Sequence, residues 1–426
     1  MTDRSVPQFV DEEYSPVRQR VTTSEDANPS FWRTLDKPLL IIIGLMLAMG
    51  LMMVYSSTFD WSLNEFGSET AILMSHARNV IIGLVAMVIF ARVPPRFIRR
   101  LSIIIMLMSI SFLIAVLLFG DRTFGARRAL INGRFQPGEF AELAMIVYMA
   151  AWLGSKNVRV RSITYGLAPF IILVAIVTGL VILQPDLSTA VVIFATSGIM
   201  FFLAGADMRQ IGLVGIILLM LGLFAFPILQ RVAPYATERV DSWLAGVSDL
   251  TQTSYHTQQA IIAIQYGGWT GLGLGEGRQK FVSLPAPHTD SIFAVIGEEL
   301  GVIGAGGVIA FYLAFAIRGL SIARQANNIF SSLLAAGITI WVIVKAMLNI
   351  AVMTGLVPPT GLPLPFISYG GSSLVVLMVG AGMLLGIQRE TTLKQPERRK
   401  QVASYDRRRG NRGARLSRAG NSTGID

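Results

Sequence analysis

The chain has 426 residues, 53% of them hydrophobic and 15% charged, with a mean hydropathy of +0.57. An ordinary soluble domain carries roughly a quarter of its residues as Asp, Glu, Lys and Arg, so the composition excludes that class and defines an all-α polytopic membrane protein. The absence of cysteine removes disulfides and thiol chemistry, and the formal net charge of +10 is carried mostly by the C-terminal tail.

Residues 1–36 are polar, mixed in charge and without the apolar core of a cleaved signal peptide. They read as a disordered cytoplasmic leader ahead of a membrane domain over 37–390. Stretches free of Asp, Glu, Lys and Arg run over 38–59, 101–120, 162–185, 187–206, 210–230, 300–317, 325–344 and 346–388, against the roughly 20 apolar residues that a span requires. The last is long enough for a helix end, a loop and another helix. Two shorter runs, NVIIGLVAMVIFA (79–91) and LAMIVYMAAWLGS (143–155), extended by their neighbours, bring the expectation to about ten transmembrane helices. Basic residues in the short loops set the orientation. Arg92, Arg96, Arg99 and Arg100, then Lys156, Arg159 and Arg161, then Arg318 and Arg324 mark the cytoplasmic side, and both termini fall there. Residues 391–426 read as a basic disordered tail, and from Arg389 onward eleven Lys or Arg face four acidic residues. Positive-inside sorting and attraction to anionic lipid account for its DRRRGNRGARLSR run without nucleic acid.

One external loop departs from the charge rule. GDRTFGARRALINGRFQPGEFAELA, between spans three and four, carries Arg122, Arg127, Arg128 and Arg134, which calls for an anion there: a substrate group, lipid headgroups, or Glu139 and Glu142. Glu142 directly precedes an apolar run and so borders a polar cavity or needs a cationic partner. In LQPDLSTAVV, Asp186 stands where it can cap the following helix. The longest loop, 231–290, is external, between spans seven and eight. Within it, 255–266 has helical apolar spacing suited to the membrane surface. The run GLGLGEG fits neither the dinucleotide nor the P-loop fingerprint and reads as a flexible lid over a cavity. His76, His256 and His288 have no metal-ligand spacing. In PAPHTDSIFAVIGEEL, His288, Asp290, Glu298 and Glu299 stand at the entrance to a span, where charge is costly. GLVPPTGLPLPFISYGG reads as a re-entrant, non-helical wall of a polar site.

The motifs QPGEFAELA, QPDLSTA, GLGLGEGRQK, LPAPHTDSIFAVIGEELG and GLPLPFISYGGSS, in that order and on those spans, resemble the SEDS family (shape, elongation, division and sporulation) of bacterial peptidoglycan polymerases. The resemblance covers about residues 37–390 and is closer to the division-type branch than to the elongation type. It implies a peptidoglycan glycosyltransferase in the cytoplasmic (inner) membrane, polymerising lipid II into glycan at the external face and releasing undecaprenyl pyrophosphate. The family's essential acid falls on Asp290, the implied general base of an inverting displacement. Arg127 and Arg128 are implied to stabilise the leaving pyrophosphate, with a divalent cation, Mg or Mn, as a compatible helper. Further substrate-binding positions are expected at Glu139, Asp186, Gln279, Lys280, His288, Thr289, Lys345, Ser368 and Ser372, and no set of metal ligands is assigned. Glu298 and Glu299 are expected to support the polar cavity or pair with its arginines. The implied partners are a class B penicillin-binding protein acting as transpeptidase and other divisome proteins. Lipid II flippase, secondary transporter, non-catalytic scaffold and elongation-type polymerase are the competing readings. The sequence departs from the family pattern at Glu142, where a lysine is usual, at Ala129, where a tryptophan is usual, and at Lys345, where a glutamine is usual. A relocated cation, Lys345 paired with Glu142, is the expected consequence.

Overall fold

A computed structural model describes residues 31–123, 126–129, 135–156, 158–210, 212–216, 234–249 and 252–394. Helix α1 (Phe31–Thr34) leads into α2 (Lys37–Phe66), α3 (Ala71–Arg92) and α4 (Pro95–Phe119). A two-stranded antiparallel hairpin follows, β1 (Asp121–Thr123) and β2 (Ala126–Ala129), a small addition to the all-helical expectation. Next come α5 (Pro137–Leu153), α6 (Ala168–Ile182) entered through a π-helical turn (Ile163–Leu167), and α7 (Leu187–Leu203). Helix α8 begins at 208 and is described to 216 except at 211. The long loop holds α9 (Pro234–Ser248), α10 (Tyr255–Gly267) and α11 (Gln279–Val282), before α12 (Ile292–Gln325), α13 (Ile329–Met353) and α14 (Ser372–Lys394).

Among the described residues, seven helices are long and apolar enough to cross a membrane: α2, α3, α4, the helix over Ile163–Ile182, α12, α13 and α14. Helices α5 and α7 are apolar and shorter, 17 residues each. Each expected span except 210–230 falls on one of these nine; 210–230 lies mostly outside the described residues. This is a multi-pass membrane fold. The helix starts follow ordinary capping rules. Asp36 accepts the Leu39 N–H at 3.0 Å to open α2 and is also held by the Arg318 guanidinium, while proline occupies the first turn of α4 and α5.

Helix α5 starts at Pro137, six residues before the apolar run that marks it in the sequence, and so carries Glu139 and Glu142 into the bundle, both buried. Helix α12 likewise starts early and contains Glu298 and Glu299, both fully buried. It kinks at Gly301, whose φ of 65° lies in the left-handed region that glycine tolerates. The kink frees backbone groups that a membrane interior leaves without water, and the Gly-rich segment after α10 satisfies them. Leu272 N–H donates to Glu298 O and Gly273 N–H to Glu299 O, both at 3.0 Å, and Val302 N–H and Ile303 N–H donate back to Gly268 O and Trp269 O. The approach is too close for a side chain, since a Cβ on Gly271 would lie 2.0 Å from Glu299 O. GLGLGEG is therefore a splint on a broken helix, not a lid.

The re-entrant segment between α13 and α14 is buried at Leu362, Leu364, Phe366 and Ile367. It is anchored by the Tyr312 hydroxyl donating to Pro365 O.

Candidate active site

Four segments meet at a cavity of about 920 Å³: the first turns of α3, the residues just before α5, the loop before α12, and the re-entrant segment with the start of α14. Asp290 is the one carboxylate and Arg78 the one cation that line it among the described residues, alongside Gln136, Thr289, Tyr369 and Ser372. Asp290 Oδ1 accepts the Thr289 hydroxyl at 3.0 Å. Its Oδ2 faces Gly361, where an added Cβ would stand 3.7 Å away.

The carboxylate is held through its backbone. The Asn349 amide, on α13, donates to Asp290 O and to Leu362 O, both at 2.7 Å. Ser368 Oγ donates to Thr289 O and accepts the Leu364 N–H, and Tyr369 N–H donates to His288 O at 2.8 Å. The loop bearing Asp290 is thus fastened at three successive residues, His288 and Thr289 directly to the re-entrant segment and Asp290 through Asn349 of α13. A Ser291 hydroxyl that donates to Pro285 O and meets His256 Nε2 at 2.6 Å closes it on the other side. A group positioned in this way loses little entropy when it meets a reactant.

His288 packs beside this loop, its ring 5.1 Å from that of Trp61 and 5.5 Å from that of Tyr369. Burial holds its pKa below the ordinary 6.5, while neighbouring Asp290 pulls the other way.

Beneath the cavity lies a buried ionic cluster. Lys345 Nζ donates to Glu139 Oε2 at 2.5 Å and to Glu142 Oε2 at 2.9 Å, and the Trp341 indole donates to the same Glu142 oxygen at 2.7 Å. The expected pairing of Lys345 with Glu142 is present, with Glu139 as a third member. A second buried cluster joins the splint to the first span. Lys280 Nζ lies 2.5 Å from Glu299 Oε1 and also donates to Ser56 Oγ and Gly275 O, and Glu298 accepts the backbone N–H groups of Arg278 and Gln279.

These contacts sort the expected site residues. Asp290, Thr289 and Ser372 line the cavity, His288 and Ser368 build its rim, and Glu139 and Lys345 lie under it. Asp186 caps α7, accepting the Thr189 N–H at 3.2 Å and the Thr189 hydroxyl at 2.9 Å. Gln279 and Lys280 do not reach the cavity, because the Lys280 ammonium is consumed by Glu299. Glu298 and Glu299 meet backbone amides, a lysine and a serine, not arginines. Arg127 and Arg128 lie on β2, which packs beside α4 and α5; their side chains are outside the described residues. Sequence reasoning missed Arg78 and Asn349. A cation near one end of span two and an amide one helical turn after Lys345 were the available signals.

No three His, Asp or Glu side chains converge as a metal cage among the described residues. With Asp290 the one carboxylate on the wall among the described residues, the donor set suits a divalent cation shared with the oxygens of a bound ligand, which would add positive charge there, and not a resident ion held by protein alone. A separate cavity of about 310 Å³ lies across the re-entrant segment, walled by Leu187, Val191, Leu348 and Val357 with Arg239 at its edge.

A membrane bundle with one open carboxylate at the meeting of a re-entrant segment and a long loop defines a polytopic enzyme class, and comparison assigns the family. The chain belongs to the cell cycle protein family labelled by FtsW, RodA and SpoVE, whose profile matches residues 37–393. It is 36% identical over 358 residues to stage V sporulation protein E of Bacillus subtilis, covering 83% of this chain and 97% of the relative. It is also 36% identical over 363 residues to the probable peptidoglycan glycosyltransferase FtsW of Legionella pneumophila, covering 83% and 91%. Among solved structures, a chain of a peptidoglycan synthase complex that coordinates polymerization and crosslinking matches with a TM-score of 0.71 at 27% identity, over 84% of this chain and 98% of that one. The rod shape determining protein RodA of Thermus thermophilus matches with a TM-score of 0.63 at 25% identity, over the same shares.

Proposed function

We propose that this protein is a peptidoglycan glycosyltransferase that polymerises lipid II at the outer face of the cytoplasmic membrane, in septal wall synthesis. The observation that carries this reading is Asp290, a single open carboxylate fixed by its backbone in a cavity that also holds Arg78. In the reaction, a sugar hydroxyl of the acceptor attacks the anomeric carbon of the donor. The new C–O bond forms as the bond to pyrophosphate breaks, the hydroxyl proton passes to Asp290, and undecaprenyl pyrophosphate leaves with the electron pair. One base without a covalent intermediate gives inversion, as in inverting glycosidases. Arg78, together with Arg127 and Arg128 on the neighbouring hairpin, would neutralise the leaving pyrophosphate. Both substrates are lipids, which fits a carboxylate kept at the mouth of a membrane bundle and a second, apolar cavity across the same segment.

The likeness to a chain of a synthase that couples polymerization and crosslinking supports a class B penicillin-binding protein as partner. The relatives named FtsW support division over elongation. The test is purified full-length protein, with and without its transpeptidase, given labelled lipid II and analysed for glycan chains on a gel. Glycan that depends on Asp290 supports the reading. Movement of lipid II across vesicles without polymerisation by either preparation would replace it with a flippase.

A further inference from the structure

We infer that the end of the bundle remote from Asp290 carries a binding site for the headgroup of an anionic phospholipid, formed by Arg92, Arg96, Arg389 and Lys394. Two helices connect the two ends. Helix α3 lines the Asp290 cavity with Ser75 and Arg78 and finishes at Arg92. At about 1.5 Å per residue its length matches the roughly 30 Å of a bilayer core. Helix α14 begins at Ser372, on the same cavity, and finishes at Lys394.

At that far end a cavity of about 230 Å³ lies between α3, α4 and α14, with four cations and one carboxylate, Glu390, on its wall. Glu390 is already engaged by Lys394, its close partner one turn on, and stands 3.8 Å from the Arg96 guanidinium. The other two guanidiniums are gathered against one ring, with Arg92 4.2 Å and Arg389 5.3 Å from the Phe31 centroid. Arg389 Nε is buried and has no hydrogen-bond partner among the described residues. Cations drawn together around an unsatisfied donor are a cost to the free protein that a phosphodiester, accepting charge-assisted hydrogen bonds, removes.

The surroundings select a lipid over a soluble anion. Ala91, Val93, Pro95 and Leu393 give the cavity apolar walls. Ile89 on α3 and Phe97 on α4, close in sequence to the lining residues Ala91 and Arg96, are each more than half exposed, as acyl chains require. Trp32, edge-on to Phe31 and 62% exposed, is the aromatic side chain expected at a membrane–water boundary. Basic pockets between helix ends on the cytoplasmic side recognise anionic headgroups in this way. A bound headgroup would tie α3 to α14, which already pack closely: a Cβ on Gly382 would lie 2.4 Å from Met87 O. The inference stands apart from the catalytic reading.

The experiment uses full-length protein in mild detergent, with thermal unfolding and native mass spectrometry as readouts. Phosphatidylglycerol, phosphatidylcholine and sodium phosphate are added separately. Phosphatidylglycerol should raise Tm and stay bound one to one, whereas the other two should do neither. Arg92→Gln with Arg389→Gln should weaken retention roughly thirtyfold, from the typical worth of two basic residues at an anionic surface. Arg99→Gln with Arg100→Gln, outside the cavity, should leave it unchanged. Should the first pair prevent folding, Arg96→Gln, whose side chain is 74% exposed, should weaken retention about fivefold by the same reckoning. Equal losses in both pairs would show diffuse charge in place of a site. Equal protection by sodium phosphate would show a soluble-anion site, and no preference for phosphatidylglycerol over phosphatidylcholine would show none; each result overturns the inference.

Discussion

Lys345 and Glu142 face each other across the contact between α13 and α5, with Nζ 2.9 Å from Oε2, and Glu139 approaches the same ammonium at 2.5 Å. Two carboxylates therefore share one cation in a fully buried setting, and the two sides of the pair are not equivalent. Lys345→Gln leaves both acids uncompensated and should cost about 3–5 kcal/mol. Glu142→Gln leaves a one-to-one pair of Lys345 with Glu139 and should cost at most about 1 kcal/mol. A double-mutant cycle on thermal unfolding measures this. Equal costs for the two single variants, or strict additivity in the double, would show that the ammonium does not hold the acids together.

Asp290→Asn and Asp290→Ala should lower glycan synthesis by about 10²–10⁴-fold, the usual contribution of a positioned general base, while Tm stays close to that of the parent. Little stability loss is expected because the contacts that fix this residue run through its carbonyl, to Asn349, and survive both changes. Asn349→Leu should then act from a distance, reducing turnover more than substrate affinity by letting the loop shift. Normal polymerisation by either Asp290 variant would remove it from the base role.

Arg78 is exposed on the cavity wall, and among the described residues its guanidinium reaches Ser75 Oγ at 3.4 Å. Arg78→Gln should therefore leave folding intact and weaken use of the lipid-linked donor, with Arg127→Gln and Arg128→Gln acting in the same direction. Arg324→Gln, an exposed residue at the end of α12, is the control. Rates measured against donor concentration separate the two, and parallel losses in all four variants would count against a pyrophosphate role.

Lys280 and Glu299 form a pair with no exposed side-chain surface on either partner. Breaking it from one side, as Lys280→Met or Glu299→Gln, should destabilise by about 3–5 kcal/mol, whereas Lys280→Met with Glu299→Leu should recover part of the loss. The same variants should loosen the 267–275 splint, which limited proteolysis would detect as new cleavage there. A double variant no better than the worse single would show that the two charges are independent.

The pH dependence follows from His288, whose pKa is lowered by burial. A folded-state value below the unfolded one means that the unfolded chain takes up the proton first. Stability is complete above the ordinary value of 6.5 and falls as pH drops through it. His288→Gln should flatten that acid slope in thermal unfolding measured between about pH 7 and pH 5. An unchanged slope would show that the imidazole does not titrate on unfolding.

Local chemistry made a large part of this protein legible in its sequence. Charge-free runs of bilayer length mark the spans, because an unpaired charge in hydrocarbon is excluded whatever the neighbours are. The prolines and glycines of GLVPPTGLPLPFISYGG mark a non-helical wall, because no regular helix accommodates them. Asp290 stands out as a carboxylate at the border of a span, within a motif that resembles those of a known family. Even the Lys345–Glu142 pair was readable, because the chain departs from the pattern of the family it resembles at both positions and each charge is costly alone.

What the tertiary structure decided was which groups meet. Lys280 pairs with Glu299 and Ser56, the latter 224 positions away, so a residue that reads as a substrate contact is a strut. The glycines of GLGLGEG read as a lid because glycine is locally permissive. In the fold, Leu272 and Gly273 instead pair with carbonyls that the Gly301 kink sets free, and Gly275 donates to the Glu299 carboxylate. Arg78 joins Asp290 only because α3 opens onto the re-entrant segment, and Glu139 shares Lys345 only because α5 starts at Pro137, ahead of its apolar run. A sequence records the cost of each isolated charge or broken helix, but the partner that offsets the cost is chosen by packing between elements hundreds of residues apart.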